Sequence, residues 1–319
     1  MDTLLLILGL ALILGGANLL TDGAAALAQR FRVPEFIIGL TIVAVGTSTP
    51  ELVVSVLSSV ARNSDVAIGN VVGSNLFNVF VILGVCALIA PMPLTAGNIR
   101  RDIPFGAGAS LLLLLLASDR IFRPHAADTI GRLDGILMLV CYAALMICTI
   151  RSAGRRTPHT AGPEQPAKAF RSLWIVIPMV LGGLAALVGG GELFLRSATR
   201  IARSLGVSES VIAITLVACG TSLPELASSV VSLLKGKTEM ALGNVIGSNI
   251  ANILLILGVS SAIHPLSMGN ITTFDLLMVL LSSLLLLAAA FTFRRRCIDR
   301  WEGVLFLSIY GAYLWYLFR

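Results

Sequence analysis

Thr41-Ile-Val-Ala-Val-Gly-Thr-Ser-Thr-Pro-Glu-Leu52 returns 174 residues later as Thr215-Leu-Val-Ala-Cys-Gly-Thr-Ser-Leu-Pro-Glu-Leu226. At the same offset Gly69-Asn-Val-Val-Gly-Ser-Asn-Leu-Phe-Asn78 returns as Gly243-Asn-Val-Ile-Gly-Ser-Asn-Ile-Ala-Asn252. Glu35 pairs with Glu209 and Asp65 with Glu239. After a slip of two, Pro93-Leu-Thr-Ala-Gly-Asn-Ile99 lies over Pro265-Leu-Ser-Met-Gly-Asn-Ile271. Low-complexity apolar sequence produces chance leucine matches, but it does not produce Gly-Thr-Ser-x-Pro-Glu twice in order. The chain is an internal duplication.

Outward from these motifs the sequence is apolar almost throughout. Hydrophobic residues make up 56% of the 319, and charged residues only 13%, about half the share of a soluble protein. That composition excludes a disordered chain, a nucleic-acid-binding arm and an ordinary soluble enzyme. It predicts an all-α polytopic membrane protein. Ten segments are apolar enough for spans: roughly 3–23, 36–60, 66–90, 103–118, 133–150, 173–195, 209–234, 240–263, 273–292 and 302–318. The first follows Met1-Asp2 with no basic flank, so no cleaved signal peptide is expected. Five spans per half is an odd number, so the second half enters the membrane from the opposite side. The expected architecture is ten transmembrane helices as two inverted five-helix repeats.

The domains follow from the repeat. Residues 1–150 form the first five-helix repeat, with its duplicated core at about 35–90. A polar linker at 151–172 carries Pro158, Pro163 and Pro166. Residues 173–319 form the second repeat, with its core at about 209–263. With the N-terminus outside, 15 of the 23 Lys and Arg residues fall inside, so both termini are expected outside and the linker cytosolic. Arg196, Arg200 and Arg203 run against that bias. The net charge of +6 is therefore topological, and no nucleic-acid partner is expected. The five cysteines have no CxxC spacing, and His125, His159 and His264 all fall in connections, which argues against a soft-metal site.

Polar side chains inside spans are costly and mark function. In the second span Thr47, Glu51, Ser55 and Ser58 recur at helical spacing, and Thr221, Glu225, Ser229 and Ser232 repeat them in the seventh. The third span carries Asn70, Ser74 and Asn78, and the eighth Asn244, Ser248 and Asn252. Glu51 and Glu225 are the two carboxylates deep in any span. Two carboxylates with amides and hydroxyls suit a hard divalent cation such as Ca²⁺, which takes six to eight oxygens. Pro50 and Pro224 lack the N–H that would bond Gly46 and Gly220, so both motifs are expected to unwind and free carbonyls near Ala44–Thr47 and Ala218–Thr221. Gly69/Gly73 and Gly243/Gly247 read as GxxxG packing pairs. Glu35, Glu209, Asp65 and Glu239 read as helix-start or interface residues.

At Gly46-Thr-Ser-Thr-Pro-Glu51 and Gly220-Thr-Ser-Leu-Pro-Glu225, each followed by Gly-Asn-x-x-Gly-Ser-Asn, the chain resembles the cation/calcium exchanger superfamily, and within it the prokaryotic sodium/calcium exchangers. The likeness covers the whole chain. It implies antiport of several Na⁺ for one Ca²⁺ by alternating access, with no enzymatic activity and no resident cofactor. It implies an ion site at Ala44, Thr47, Ser48, Glu51, Ser74 and Asn78 and at Ala218, Thr221, Ser222, Glu225, Ser248 and Asn252, the two alanines acting through their carbonyls. It also implies that the first and sixth spans slide across the core, for which Gly15-Gly16 and Gly189-Gly190-Gly191 suit a moving surface. Some relatives carry Asp at the position of Asn252, which makes potassium coupling less expected here. The short loops suggest a prokaryotic cytoplasmic membrane. A Ca²⁺/H⁺ antiporter using the same two carboxylates is the alternative. An intramembrane hydrolase is disfavoured, since the sequence has no HExxH and no GxSxG. Oligomeric state stays open.

Overall fold

The computed structural model describes residues 1–119, 128–153, 172–205, 220–292 and 296–317. Eleven helical segments are described in chain order. They are α1 (Asp2–Phe31), α2 (Glu35–Thr47), α3 (Thr49–Val60), α4 (Ser64–Ile89), α5 (Ile103–Leu116), α6 (Arg132–Ala153), α7 (Leu173–Ser204), α8 (Leu223–Leu234), α9 (Thr238–Ile263), α10 (Thr273–Ala289) and α11 (Arg300–Leu317). Each predicted apolar segment coincides with helix, the seventh from residue 220 onward. The linker, Glu209, Ala218, Cys219, His125 and His159 lie outside the described residues.

Among the described residues, five helices can cross a membrane by length and composition: α1, α4, α6, α7 and α9. The pair α2 and α3 makes a sixth if counted as one broken span. In the segment expected at 103–118 the α-helical part, Ile103–Leu116, has 14 residues and directly continues a π-helical stretch at Asn98–Asp102.

The chain forms two compact units that cut across the sequence halves. The first comprises Met1–Thr49 and Leu145–Gly247. Its axis is the packing of α1 on α7. Gly9 meets α7 at Gly190 and Phe194, and Gly16 meets it at Gly183 and Leu187, so the two helices run antiparallel. They are repeat equivalents, and antiparallel equivalents are what an inverted duplication produces. The glycines expected on a moving surface divide. Gly16 and Gly190 lie in this seam, whereas Gly15 and Gly189 have no described atom within 4 Å of a Cβ position. Gly243 and Gly247 pack α9 against the backbone of α2 at Phe36 and Leu40, as a GxxxG pair does. Lys237 bonds Glu35 at 2.6 Å and Lys235 bonds Asp22 at 2.7 Å. Arg196 and Arg200, which run against the charge bias, are paired with Glu192 and Asp2.

The second unit comprises Pro50–Ala144 and Ser248–Arg319. Two short antiparallel pairings brace it, Met92–Pro93 with Cys297–Ile298 and Thr129–Ile130 with Leu266–Ser267. Thr272 and Asp275 form a capping box that starts α10, and Tyr313 donates to Asp275 at 2.8 Å. Asp65, in the first turn of α4, accepts from the backbone and side chain of Asn270. It therefore has both a helix-start and an interface role.

The helix interiors carry two repeat-equivalent irregularities. Phe77–Leu83 in α4 and Ala251–Leu257 in α9 are π-helical. Nothing in the composition announces them, yet they contain Asn78 and Asn252. Such insertions concentrate at functional positions.

Candidate ion-binding residues

Glu225 in the first unit and Glu51 in the second each sit in the first turn of a helix. Glu51 opens α3 and Glu225 opens α8, where the helix N-terminus favours negative charge. Both are buried, at 0% and 1% exposure. The other buried carboxylates among the described residues are engaged: Asp102 by Arg101, Asp275 by Thr272 and Tyr313, Glu302 by Thr292 and Asp299.

In the first unit Ser48 donates to Glu225 Oε1 at 2.8 Å. Asn244 holds the backbone beneath it. Its Nδ2 lies 3.4 Å from the Glu225 carbonyl and 2.9 Å from each of Ser228 Oγ and Ser229 Oγ, while its Oδ1 accepts from Thr47 at 3.2 Å. Thr47 also lies 3.0 Å from the carbonyl of Val43. A hydroxyl has one proton and two lone pairs, so back-bonding leaves Thr47 able to accept a cation. Among the described residues Glu225 Oε2 and Thr221 Oγ1 are buried without a hydrogen-bond partner, and no Lys or Arg pairs with Glu225. An unneutralised buried carboxylate is costly, and a cation relieves that cost.

The second unit repeats the arrangement around Glu51. Asn70 Nδ2 donates to the Glu51 carbonyl at 3.1 Å and to Ser55 Oγ at 2.9 Å. Ser74 approaches Glu51 Oε1 at 3.4 Å. Asn78 Oδ1 and both amide atoms of Asn252 are buried without a partner among the described residues. Ser248 is fully buried in the same unit, as Ser222 and Ala44 are in the first.

The first motif breaks less than expected, while in the second Thr221 and Ser222 both form a turn before α8 begins at Leu223. In the first the interruption is confined to Ser48, at φ −78° and ψ 10°, and Ser48 N–H still bonds the Ala44 carbonyl at 3.0 Å. One non-helical residue accommodates the missing N–H of Pro50, so the backbone bends without unwinding. The buried stripe of α3 is Glu51, Ser55 and Ser59, while Ser58 is half-buried. Ser59 donates to the Ser260 carbonyl at 2.6 Å.

Eleven of the twelve expected residues are described. Ala44, Thr47, Ser48, Thr221, Ser222 and Glu225 lie in the first unit and Glu51, Ser74, Asn78, Ser248 and Asn252 in the second. The motifs themselves contained further members: Asn70 and Asn244 under the glutamates, Asn75 and Asn249 beside the amides. Their signal was the repetition of Gly-Asn-x-x-Gly-Ser-Asn at full length. Asn244 makes more bonds than Asn70 and is more buried. Replacing it by Leu removes its bonds to three hydroxyls and the Glu225 carbonyl; Thr47 and Ser228 keep carbonyl partners, and each polar group left unsatisfied costs about 1–3 kcal/mol. Asn244→Leu is expected to lower the melting temperature in detergent more than Asn70→Leu does.

Comparison with known proteins agrees on one family. The family model for the sodium/calcium exchanger protein matches residues 1–151 and 175–319. The chain is 34% identical over 346 residues to the sodium/calcium exchanger MaX1 of Methanosarcina acetivorans, covering 99% of this chain and 98% of that one. It is 34% identical to the inner membrane protein YrbG of Escherichia coli K12, covering 82% and 80%. The structure of the sodium-calcium exchanger NCX_Mj soaked with Na⁺ and Ca²⁺ superposes with a TM-score of 0.83 at 30% identity, covering 98% and 97%.

Proposed function

Because this chain belongs to the sodium/calcium exchanger family, we propose that it exchanges Na⁺ for Ca²⁺ across a prokaryotic cytoplasmic membrane by alternating access, with Glu51 and Glu225 both ligating the transported ion. It is an integral membrane transporter and not an enzyme. The observation that carries the reading is the duplicated oxygen set. Each repeat supplies one buried carboxylate, one buried amide in a π-helical turn, and Ser and Thr hydroxyls. Oxygen alone suits Ca²⁺ and Na⁺, which need flexible cages of carboxylate, carbonyl, amide and hydroxyl.

Thr47, Ser48, Ser74 and Asn78, with Thr221, Ser222, Ser248 and Asn252, complete the ligand set, and Ala44 and Ala218 add carbonyls. One cage accepts one Ca²⁺ or several Na⁺, because the ions are similar in size and differ in charge. Residues 1–150 and 173–319 are the two inverted repeats of a ten-span carrier, joined by a cytosolic linker at 151–172, with both termini outside. The antiparallel packing of α1 on α7 supports the inversion.

The test is ⁴⁵Ca²⁺ uptake into sodium-loaded proteoliposomes, beside choline-loaded vesicles and vesicles carrying only a pH gradient. Uptake is expected only with internal sodium. Uptake driven by the pH gradient and indifferent to sodium replaces this reading with a Ca²⁺/H⁺ antiporter.

A further inference from the structure

The repeat makes Asn78 equivalent to Asn252 and Asn75 equivalent to Asn249. All four lie in the second unit and are buried. Their hydrogen bonds are not equivalent. Asn78 Nδ2 donates to Asn249 Oδ1 at 3.0 Å. Asn249 is itself oriented, because its Nδ2 lies 3.5 Å from the Asn75 carbonyl. The mirror of the first bond would join Asn252 Nδ2 to Asn75 Oδ1. Neither atom has a partner among the described residues, and the Asn75 amide instead bonds the Val71 carbonyl one turn back at 3.0 Å. The same side chains at the mirrored position do without the bond, so the packing of the repeat does not require it.

A carboxamide offers a cation its oxygen and repels it with its NH₂. A half-turn about the terminal torsion exchanges the two within the same volume, and that torsion is soft. An asparagine is held with its oxygen toward an ion where its NH₂ has an acceptor other than the ion. Asn249 Oδ1 is that acceptor for Asn78, and it leaves Asn78 Oδ1 unbonded.

We propose that Asn249 is a positioning residue for calcium transport: its side-chain oxygen captures the Asn78 NH₂ and thereby commits the Asn78 oxygen to the ion. Asn249 itself acts through Asn78. The inference rests on Asn78 being an ion ligand.

The test measures KM and kcat for ⁴⁵Ca²⁺ uptake in sodium-loaded proteoliposomes. The variants are Asn78→Leu, Asn249→Leu, Asn249→Asp, and Asn249→Leu in an Asn78→Asp background. Asn249→Leu removes the acceptor at similar volume and is expected to raise KM about tenfold, equal to about 1.4 kcal/mol, with a smaller change in kcat. Asn249→Asp keeps an acceptor and is expected to restore most of the affinity. In the Asn78→Asp background the ligand has two oxygens and no NH₂, so adding Asn249→Leu is expected to change KM less than about twofold, as coupled residues behave in a double-mutant cycle. An equal rise in both backgrounds assigns Asn249 to packing and overturns the proposal. An unchanged KM in Asn249→Leu beside an impaired Asn78→Leu overturns the positioning role alone. An unchanged KM in Asn78→Leu overturns that role together with the ligand assignment. If Asn249→Leu does not yield monodisperse protein, Asn249→Ala takes its place in the same cycle.

Discussion

Glu51→Gln and Glu225→Gln are each expected to abolish sodium-driven calcium uptake while leaving the protein folded. Gln has nearly the shape of Glu and keeps an oxygen for the Ser48 hydroxyl that reaches Glu225 at 2.8 Å. What it removes is a buried negative charge, which on the proposed reading ligates the transported ion. Breaking a buried charge pair costs about 3–5 kcal/mol, and about 3 kcal/mol is already a factor on the order of 100 in affinity. Thermal stability separates an ion ligand from a structural residue. Without ions, a buried carboxylate is a liability, so each Gln variant is expected to melt at or above the wild-type temperature. With calcium, the wild type is expected to gain stability by mass action, and the variants are expected to gain none. Melting curves in detergent, with a chelator and with Ca²⁺, read both effects. A Gln variant that melts lower in chelator, yet keeps its calcium response, would assign that glutamate to the scaffold.

Much of this was legible because duplication turns ambiguous signals into paired ones. A lone Glu in a span has several explanations, whereas Glu51 and Glu225 in identical frames have few. Periodicity then places residues on a helix face without naming their partners. Asn70 and Asn244 were visible as members of a polar stripe, but their task of holding the glutamate carbonyls needs contacts across 19 positions of chain. Ser58 was assigned in place of Ser59 for a related reason. Ser58 and Ser59 lie three and four residues after Ser55, and helical spacing allows either, whereas the buried stripe runs by fours from Glu51 through Ser55 to Ser59. The π-helical turns at Asn78 and Asn252 were invisible, since one extra residue per turn leaves no mark on composition. The two compact units also escaped the sequence. Unit boundaries fall inside one copy of each motif, at Thr49/Pro50 and Gly247/Ser248, and linear order carries no trace of which helix packs on which.

The seam between α1 and α7 carries the other large expected effect. Gly183→Leu is expected to yield little or no monodisperse protein, and Gly189→Leu to behave close to wild type. A Cβ on Gly183 would stand 2.6 Å from Leu20 N and 2.9 Å from the Gly16 carbonyl. Those are backbone atoms, so no rotamer change relieves the contact and the helices must part. Gly16 is nearly as confined, with a Cβ 2.7 Å from Leu187 N and 2.8 Å from the Gly183 carbonyl. Overpacking by one methyl costs about 1–3 kcal/mol even where side chains can yield. Between helices in lipid, close approach of small residues is itself the source of association, so a leucine removes the attraction as well as adding the clash. Size-exclusion profiles and melting temperatures of Gly183→Ala, Gly183→Leu and Gly189→Leu grade the effect, and equal behaviour at 183 and 189 would refute the seam. The spacing has a mechanical consequence. Gly9 and Gly16 face Gly190 and Gly183 across two turns of helix, with little free volume at either pair. Sliding of α1 along α7 would drive a residue with a Cβ into each contact, so if these helices move during exchange they move together as one body.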